Sequence, residues 1–215
     1  GRLEYTGIVA FGLSVSLVGN YDAERKLELM RRYRPKALLG TTSYFGHLAA
    51  VSDRSPPFEG LECLITGGEG SGHAYLERLE RQWDARVFDR YGSSQMANDH
   101  MFSCEAGIGD QSRPGMLHNI EPMVFFEVVD PETGRHVKDG EAGELVLTSL
   151  YRTDSPIIRC RMRDRAVYRE AAYCGCGRPF AGLEIASIGR VDDMKKVKGV
   201  NIWPQAVEDA VFAEP

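Results

Sequence analysis

Two cysteines in the last quarter of the chain have the spacing of a metal-binding pair. The segment reads Cys174-Gly-Cys176-Gly-Arg178, and its glycines let the backbone fold so that both sulfur atoms face one point. Zinc requires four nitrogen or sulfur ligands in a tetrahedron. Cys104 is the best third ligand, and His118 is preferred over His100 as the fourth. Such a set leaves no open position, so the metal would be structural; free thiols in a hairpin are the alternative.

A glycine-rich segment follows an apolar run that predicts a buried strand, Leu61–Thr66. It reads Gly67-Gly-Glu-Gly-Ser-Gly72 and precedes a predicted helix that ends near Trp83. A strand, a glycine-rich turn and a helix are typical of a backbone that approaches a ligand closely. Neither GxGxxG nor a P-loop is present, so phosphate binding does not follow from this turn alone.

A second break follows the next predicted strand, Val87–Tyr91, in a stretch that continues to Cys104. The break reads Tyr91-Gly92-Ser93-Ser94. Its backbone and hydroxyl groups could contact a polar ligand. An ordinary strand-to-helix connection is the alternative, which this stretch taken alone favours.

Two charged segments complete the set of candidates. Asp164 closes the strand-like run Ile158–Asp164, where an acid could accept hydrogen bonds from both hydroxyls of a ribose. An ion-paired surface residue is the alternative, and position alone favours it. The segment 189–199 mixes charges between two glycines, which predicts either a solvated turn or a hinge.

The first half of the chain predicts strands alternating with helices, which is typical of a parallel α/β layer. Its other predicted elements are a strand at Ile8–Phe11, a helix at Asp22–Arg34 with Asp22 as N-cap, a strand at Ala37–Leu39, a helix ending near Val51, and a loop at Asp53–Gly60.

After Cys104 the pattern changes to short β segments separated by turns, which predicts an antiparallel sheet or small barrel. The predicted strands are Met123–Asp130, Glu144–Leu150, Ile157–Arg163, Ala166–Glu170 and Gly199–Pro204, and a helix follows at Gln205–Phe212 with Pro204 in its first turn. The expected fold class is therefore α/β, a parallel strand–helix layer followed by a small antiparallel β subdomain.

Composition excludes several classes of function. The 215 residues are 43% hydrophobic and 27% charged, with a net charge of −5, which argues against a nucleic-acid partner. No apolar run approaches the roughly 18 residues that span a membrane. Five irregularly spaced cysteines are not a secreted disulfide framework. We expect Cys63 and Cys160 to be buried small hydrophobes.

Eight segments in one order resemble a known family. They are Thr41–Tyr44, Thr66–Glu69, Asp89–Gln95, Gly143–Thr148, Arg159–Asp164, the Cys-Gly-Cys-Gly-Arg hairpin, Gly189–Met194 and Gly199–Pro204. The chain resembles the adenylate-forming superfamily, and within it the phenylacetate-CoA ligase type. The resemblance implies that a carboxylic acid, here a flat aromatic one, reacts with ATP and Mg²⁺ to an acyl-adenylate and then passes to coenzyme A.

The resemblance also implies roles for individual residues. Asp164 would hold the ribose hydroxyls, Arg190 would reach toward the nucleotide, and Asp192 would be the hinge of a C-terminal domain. The expected nucleotide-binding residues are Gly67, Gly68, Glu69, Asp89, Arg90, Tyr91, Gly92 and Ser93. The expected acyl-pocket residues are Tyr44, Phe45, Gly68, Tyr91 and Gly92.

The same resemblance makes structural zinc plausible at Cys104, His118, Cys174 and Cys176. It divides the chain into an α/β part at 1–122, a β-rich part at 123–191, and a hinge with the start of a C-terminal domain at 192–215. We expect a cytoplasmic enzyme without a nucleic-acid or membrane partner. The sequence does not decide between a monomer and a homodimer.

Several positions depart from the family pattern. Gln95 stands where the family usually has a glutamate near the metal, Thr42 replaces a proline, and Met162-Arg163 replace Thr-Gly or Thr-Arg. The family's phosphate-gripping loop should precede residue 1, and its adenylation lysine should follow residue 215. We therefore expect this chain alone to be inactive.

Two further functions stay open at this stage. One is adenylation followed by transfer to an amine, a hydroxyl or a carrier protein. The other is a zinc-stapled domain that binds nucleotide without catalysis.

Overall fold

Three short parallel strands and four helices form the first layer. The computed structural model describes residues 2–197 and 200–212. The strands β1 (Ala37–Leu39), β2 (Cys63–Ile65) and β3 (Arg86–Phe88) lie in that order in the sheet. The helices are α1 (Arg2–Ala10), α2 (Ala23–Tyr33), α3 (Thr42–Val51) and α4 (His73–Trp83).

The ends of α2 follow from its sequence. The Asp22 carboxylate accepts a hydrogen bond from the Arg25 backbone N–H at 2.7 Å, as expected of an N-cap. Arg34 ends the helix in the left-handed region, with φ of 47°, directly before Pro35. The predicted helix is therefore confirmed together with its cap.

The core lies between the parallel sheet and its helices and continues under the second sheet. Leu64, Leu79, Trp83 and Val87 have no measurable exposure. Helices α2, α3 and α4 contribute buried apolar residues to this core, which removes apolar surface from water.

A large antiparallel sheet forms the second layer. Its strands are β4 (Arg90–Ser93), β5 (Asn98–Ser103), β6 (Met116–Asn119), β7 (Val124–Val129), β8 (Ala142–Ser149), β9 (Cys160–Arg169), β10 (Gly182–Glu184) and β11 (Gly189–Arg190). The order is β4-β5-β6-β10-β9-β8-β7, and β11 pairs with β9. A hairpin of β12 (Lys195–Val197) and β13 (Val200–Ile202) leads into α5 (Pro204–Phe212).

The expected α/β class with an added antiparallel sheet is confirmed. Strand Ala37–Leu39, the helices ending near Val51 and Trp83, and the helix started by Pro204 are all present. Lys198 and Gly199 of the predicted hinge and last strand lie outside the described residues. Across 2–197 and 200–212, no helix has the length and apolar character that crossing a membrane requires.

The prediction of a strand at Ile8–Phe11 is wrong, because residues up to Ala10 belong to α1. A short apolar run does not distinguish a strand from a helix, and within the described chain no strand pairs with this run. Cys63 and Cys160 are also more accessible than predicted, since both are only partly buried.

The single predicted strand Val87–Tyr91 is in fact two. β3 ends at Phe88 in the parallel sheet, and β4 begins at Arg90 in the antiparallel sheet. The antiparallel sheet thus starts before residue 104, where the sequence pattern changes, because local alternation does not reveal which partner a strand pairs with. Conversely, the two predicted strands 157–163 and 166–170 merge into β9.

His100 generates a prediction about pH. Its ring is fully buried on β5, and burial lowers its pKa from 6.5 to about 4. Between these pH values the unfolded chain therefore binds a proton at this histidine that the folded chain does not bind. The free energy of unfolding consequently falls as the pH drops. We expect the free energy of unfolding to lose about 2 kcal/mol between pH 7 and pH 5 through this group.

Chemical unfolding at both pH values tests this in His100→Phe, which keeps an aromatic ring at the position. The variant should lack that part of the acid loss, whereas His136→Gln, a change at an exposed histidine, should retain it. An acid loss as large in His100→Phe as in the unchanged protein would contradict the prediction.

Candidate functional site

A buried carboxylate on one strand contacts side chains from two other strands. Asp164 on β9 accepts a hydrogen bond from the Tyr91 hydroxyl on β4 at 2.6 Å. The Arg190 guanidinium on β11 lies 3.2 Å from the other oxygen of Asp164 and also donates to the Met162 carbonyl at 3.1 Å. Asp164 is 9% exposed, so both contacts offset the cost of desolvating its charge.

Tyr91 is held as a neutral hydrogen-bond donor. Burial, with the adjacent Asp164 charge, raises the pKa of the Tyr91 hydroxyl well above 10. Its ring meets the ring of His100 edge-on at a centroid distance of 5.5 Å. His100, the second candidate for the fourth zinc ligand, therefore packs behind Tyr91 and is not part of the cysteine cluster.

The glycine-rich turn follows β2 and contacts β4, the strand that carries Tyr91. Gly68 has φ of 85°, which side-chain-bearing residues rarely adopt, and it is exposed. A Cβ at Gly67 would meet the Arg90 side chain at 2.7 Å and its carbonyl oxygen at 3.0 Å. The turn and β4 are consequently in direct contact.

Glu69 connects the turn to a second helix. Its carboxylate accepts hydrogen bonds from the Ser43 backbone N–H and, at 3.0 Å, from the Ser43 hydroxyl. Ser43 lies in the first turn of α3, where backbone N–H groups lack intrahelical partners. Thr41, the N-cap residue of α3, makes no capping bond through its side chain. Glu69 therefore caps α3 from another loop.

Asp89 and Arg90 hold the crossover between the two sheets. The Asp89 carboxylate accepts from the Thr66 hydroxyl at 2.8 Å, and its backbone N–H donates to the Ser103 hydroxyl at 2.7 Å. Burial raises the pKa of Asp89 to about 6 although part of the residue remains accessible. The Arg90 guanidinium pairs with Asp99 on β5.

The predicted strand-to-helix connection after Tyr91 is a hairpin. β4 and β5 pair antiparallel, with a register shift between Tyr91 and Gly92, and the turn occupies 94–97. A Cβ at Gly92 would come within 2.5 Å of Asp99 Cα, so glycine is required for strand pairing. Ser93 is partly buried, and its hydroxyl accepts from the Met96 N–H at 3.3 Å. Gln95 at the tip is exposed.

The residues predicted for the acyl pocket separate into two environments. Phe45 is 3% exposed and meets Trp83 edge-on in the core at 6.1 Å. Tyr44 is partly buried, and its hydroxyl accepts a hydrogen bond from the Lys26 ammonium at 2.7 Å. Lys26 was not predicted from the sequence: it lies on the face of α2 that also buries Leu27, but a lysine on a helix usually indicates a solvated face.

Asp192 lies where a hinge is predicted. It belongs to a short 3₁₀ helix at Val191–Asp193, directly after β11. Its carboxylate is 3.5 Å from the Arg163 guanidinium and 3.6 Å from that of Arg190. All three side chains are more than 45% exposed, so these pairs contribute little stability.

Cys104, His118, Cys174 and Cys176 form one cluster. Their ligand atoms all lie within 4.8 Å of one another. The Cys104 and Cys174 sulfurs are 3.6 Å apart, and the Cys176 sulfur is 3.5 Å from His118 Nε2. A zinc tetrahedron with Zn–S of about 2.3 Å has edges of about 3.8 Å, whereas a disulfide requires about 2.05 Å.

The second ring nitrogen of His118 is fixed by the backbone. His118 Nδ1 lies 3.1 Å from the Phe180 carbonyl oxygen, which can only accept, so Nδ1 carries the proton. Nε2 is then the unprotonated nitrogen and faces the three sulfurs. The Ala106 N–H also donates to the Cys104 sulfur at 3.4 Å. This donor set can bind a tetrahedral metal ion.

Comparison with known proteins identifies the family. The profile described as AMP-binding enzyme matches residues 1–151. Phenylacetate-coenzyme A ligase from Thermus thermophilus is 30% identical over 97% of this chain, and that from Pseudomonas putida is 29% identical over 96%. The chain covers 46% and 45% of these proteins, so it spans slightly less than half of their length.

Solved structures give the same answer. A 2-hydroxyisobutyryl-CoA ligase in its postadenylation state, in complex with 2-HIB-AMP, is 29% identical and superposes with a TM-score of 0.78 over 92% of this chain and 41% of that one. In the thioesterification state of that ligase, with the same identity and coverage, the TM-score is 0.70. The chain belongs to the AMP-binding enzyme family, the adenylate-forming ligases.

Proposed function

We propose that the protein containing this chain activates an aromatic carboxylic acid with ATP and transfers the acyl group to coenzyme A. The observation that carries the proposal is the buried carboxylate of Asp164, held between Tyr91 and Arg190, while the glycine-rich turn contacts β4, the strand of Tyr91. The relatives named above, phenylacetate-coenzyme A ligases, support both the acid and the acceptor.

In the first half-reaction the acid's carboxylate oxygen attacks the α-phosphorus of ATP. The new P–O bond replaces the bond to the β-phosphate, so pyrophosphate leaves and an acyl-adenylate remains. In the second, the sulfur of coenzyme A attacks the acyl carbon, and AMP leaves. Two anions meet in the first step, so the site must supply positive charge.

The described residues fit distinct parts of this chemistry. Asp164 accepts hydrogen bonds from the ribose hydroxyls. Arg190 orients Asp164 and also brings positive charge toward the nucleotide. Gly67, Gly68, Tyr91, Gly92 and Ser93 form the wall along the adenine and α-phosphate. Asp89, Arg90 and Glu69 hold that wall in place through their contacts with Thr66, Asp99 and Ser43.

The acyl group would lie next to the same wall. Tyr44, Gly68, Tyr91 and Gly92 would border it, with Phe45 supporting α3 from the core. Flat aromatic side chains favour a flat acid. Mg²⁺ would accompany ATP and neutralise phosphate charge. The neutral Gln95 amide would bind the ion more weakly than the glutamate usual in the family, so we do not assign Gln95 as a metal ligand.

Pyrophosphate release by the intact protein tests the reaction class. With ATP and a panel of benzoic and phenylacetic acids, we expect release that depends on at least one acid, and an acyl-CoA product when coenzyme A is added. Release without an acyl-CoA product would favour transfer to another acceptor. If the protein binds ATP but releases no pyrophosphate in response to any acid, both proposed catalytic functions are excluded.

Asp164 provides the test of nucleotide binding. Asp164→Asn keeps the shape but removes the charge that strengthens hydrogen bonds to the ribose, a contribution of about 1.5–3 kcal/mol. Calorimetric titration with AMP should show affinity reduced roughly tenfold or more. Asp154→Asn, at an exposed loop position, is the matched control and should bind like the unchanged protein. Equal affinity in both variants would exclude the ribose role.

We propose further that Cys104, His118, Cys174 and Cys176 bind structural zinc. The cluster joins the end of β5 to β6 and to the turn before β10, so the metal would stabilise short connections that cannot bury a core of their own. None of the five cysteines forms a disulfide, which also supports a reducing, cytoplasmic location.

Elemental analysis of the purified protein should find about one zinc per chain. Cys174→Ser should lose the metal, whereas Cys63→Ser, a change at a cysteine outside the cluster, should keep it. Removing zinc by chelation should expose the segment 91–104 to protease before the domain unfolds. A zinc content near zero in the unchanged protein contradicts the assignment.

A further inference from the structure

The last described helix is docked on the first turn of α4. The Gly72 N–H donates to Glu208 Oε2 at 2.6 Å, and the Ala74 N–H donates to Asp209 Oδ1 at 3.0 Å. The N-cap residue of α4 is Gly72, which has no side chain to accept these bonds. Two carboxylates more than 130 residues away in sequence therefore take over the capping of α4.

Several contacts besides these bonds hold α5 in place. The Phe212 ring lies 4.9 Å from the Tyr75 ring, and the Arg78 guanidinium lies 4.7 Å from the centroid of Phe212. Gln205 donates to the Ile188 carbonyl at 3.2 Å. Desolvation raises the pKa of Glu208, which agrees with a carboxyl group removed from water.

The glycine-rich turn is shaped for this contact. A Cβ at Gly72 would meet the Asp209 carboxylate at 2.5 Å and the Gln205 carbonyl at 3.0 Å. A Cβ at Gly70 would meet the Ile188 carbonyl oxygen, and the Gln205 amide at 2.8 Å. Gly72 is therefore explained by the approach of α5, and Gly70 by the Ile188 backbone together with α5. These contacts fix one end of the turn while β2 fixes the other.

The capped turn is the one that carries Gly67, Gly68 and Glu69. We propose that Glu208 and Asp209 are positioning residues that hold this turn in its nucleotide-binding form during adenylation. The inference rests on the proposed function. Because both carboxylates follow the proposed hinge at Asp192, rotation there would remove them from α4 and release the turn for the second half-reaction.

The comparison with the solved ligase supports this reading. At equal identity and coverage, the chain superposes better on the postadenylation state than on the thioesterification state, with TM-scores of 0.78 and 0.70. As a whole, the described chain is thus more similar to the postadenylation state of that ligase.

The test uses the intact enzyme carrying Glu208→Gln and Asp209→Asn together. Both changes keep the side-chain shape, and circular dichroism verifies folding. Rapid-quench kinetics with the carboxylic acid substrate and ATP measures the rate of adenylate formation. Supplying preformed acyl-adenylate together with coenzyme A measures the transfer step alone. We expect adenylation to slow about five- to tenfold while transfer is unchanged or faster. The single variant Asp209→Asn should give a smaller change in the same direction.

Hydrogen–deuterium exchange of the peptide containing Gly72 and Ala74 gives a readout independent of activity. Exchange should be faster in the double variant, while Glu59→Gln, at an exposed position on a loop, should leave both exchange and rates unchanged. Unaltered exchange, or equal slowing of both half-reactions, would overturn the proposal. If no acid is adenylated at all, the proposed function fails, but the exchange result still decides whether α5 caps α4.

Discussion

The buried carboxylate of Asp164 is the constraint on which the site depends. It joins β9 to β4 through Tyr91 and to β11 through Arg190. A nearly buried negative charge is tolerated only when donors surround it, so these strands cannot shift independently. The ring of Tyr91 packs against the ring of the buried His100, so the Asp164 carboxylate is connected through Tyr91 to the core under the antiparallel sheet. Three strands far apart in sequence are thereby fixed around one carboxylate.

Side chains from other elements hold the loops next to these strands. Glu69 caps α3, and Glu208 and Asp209 cap α4. Helix starts are partially positive, so each carboxylate finds a favourable position without a counter-ion. The glycine-rich turn is therefore contacted from two sides, by α3 through Ser43 and by α5 through Glu208 and Asp209.

The cysteine cluster shows how much the sequence could anticipate. The Cys-x-Cys pair and the preference for His118 over His100 came from residue types and spacing, and the structure brings all four side chains together. What sequence could not show was that His118 donates through Nδ1 to the Phe180 carbonyl, which leaves Nε2 free to face the sulfurs. Lys26 beside Tyr44 was missed because a lysine on a helix normally indicates a solvated face.

By itself the sequence determined the α/β class, both ends of α2, and the ends of α3 and α4 near Val51 and Trp83. Local signals are sufficient for these features, since caps, glycines and apolar periodicity act within a few residues. Only the tertiary structure decided that β4 pairs in the antiparallel sheet and not in the parallel one, that residues up to Ala10 are helical, and that α5 caps α4. Strand partners and caps supplied from a distance depend on contacts between segments far apart in the chain, and no local pattern encodes them.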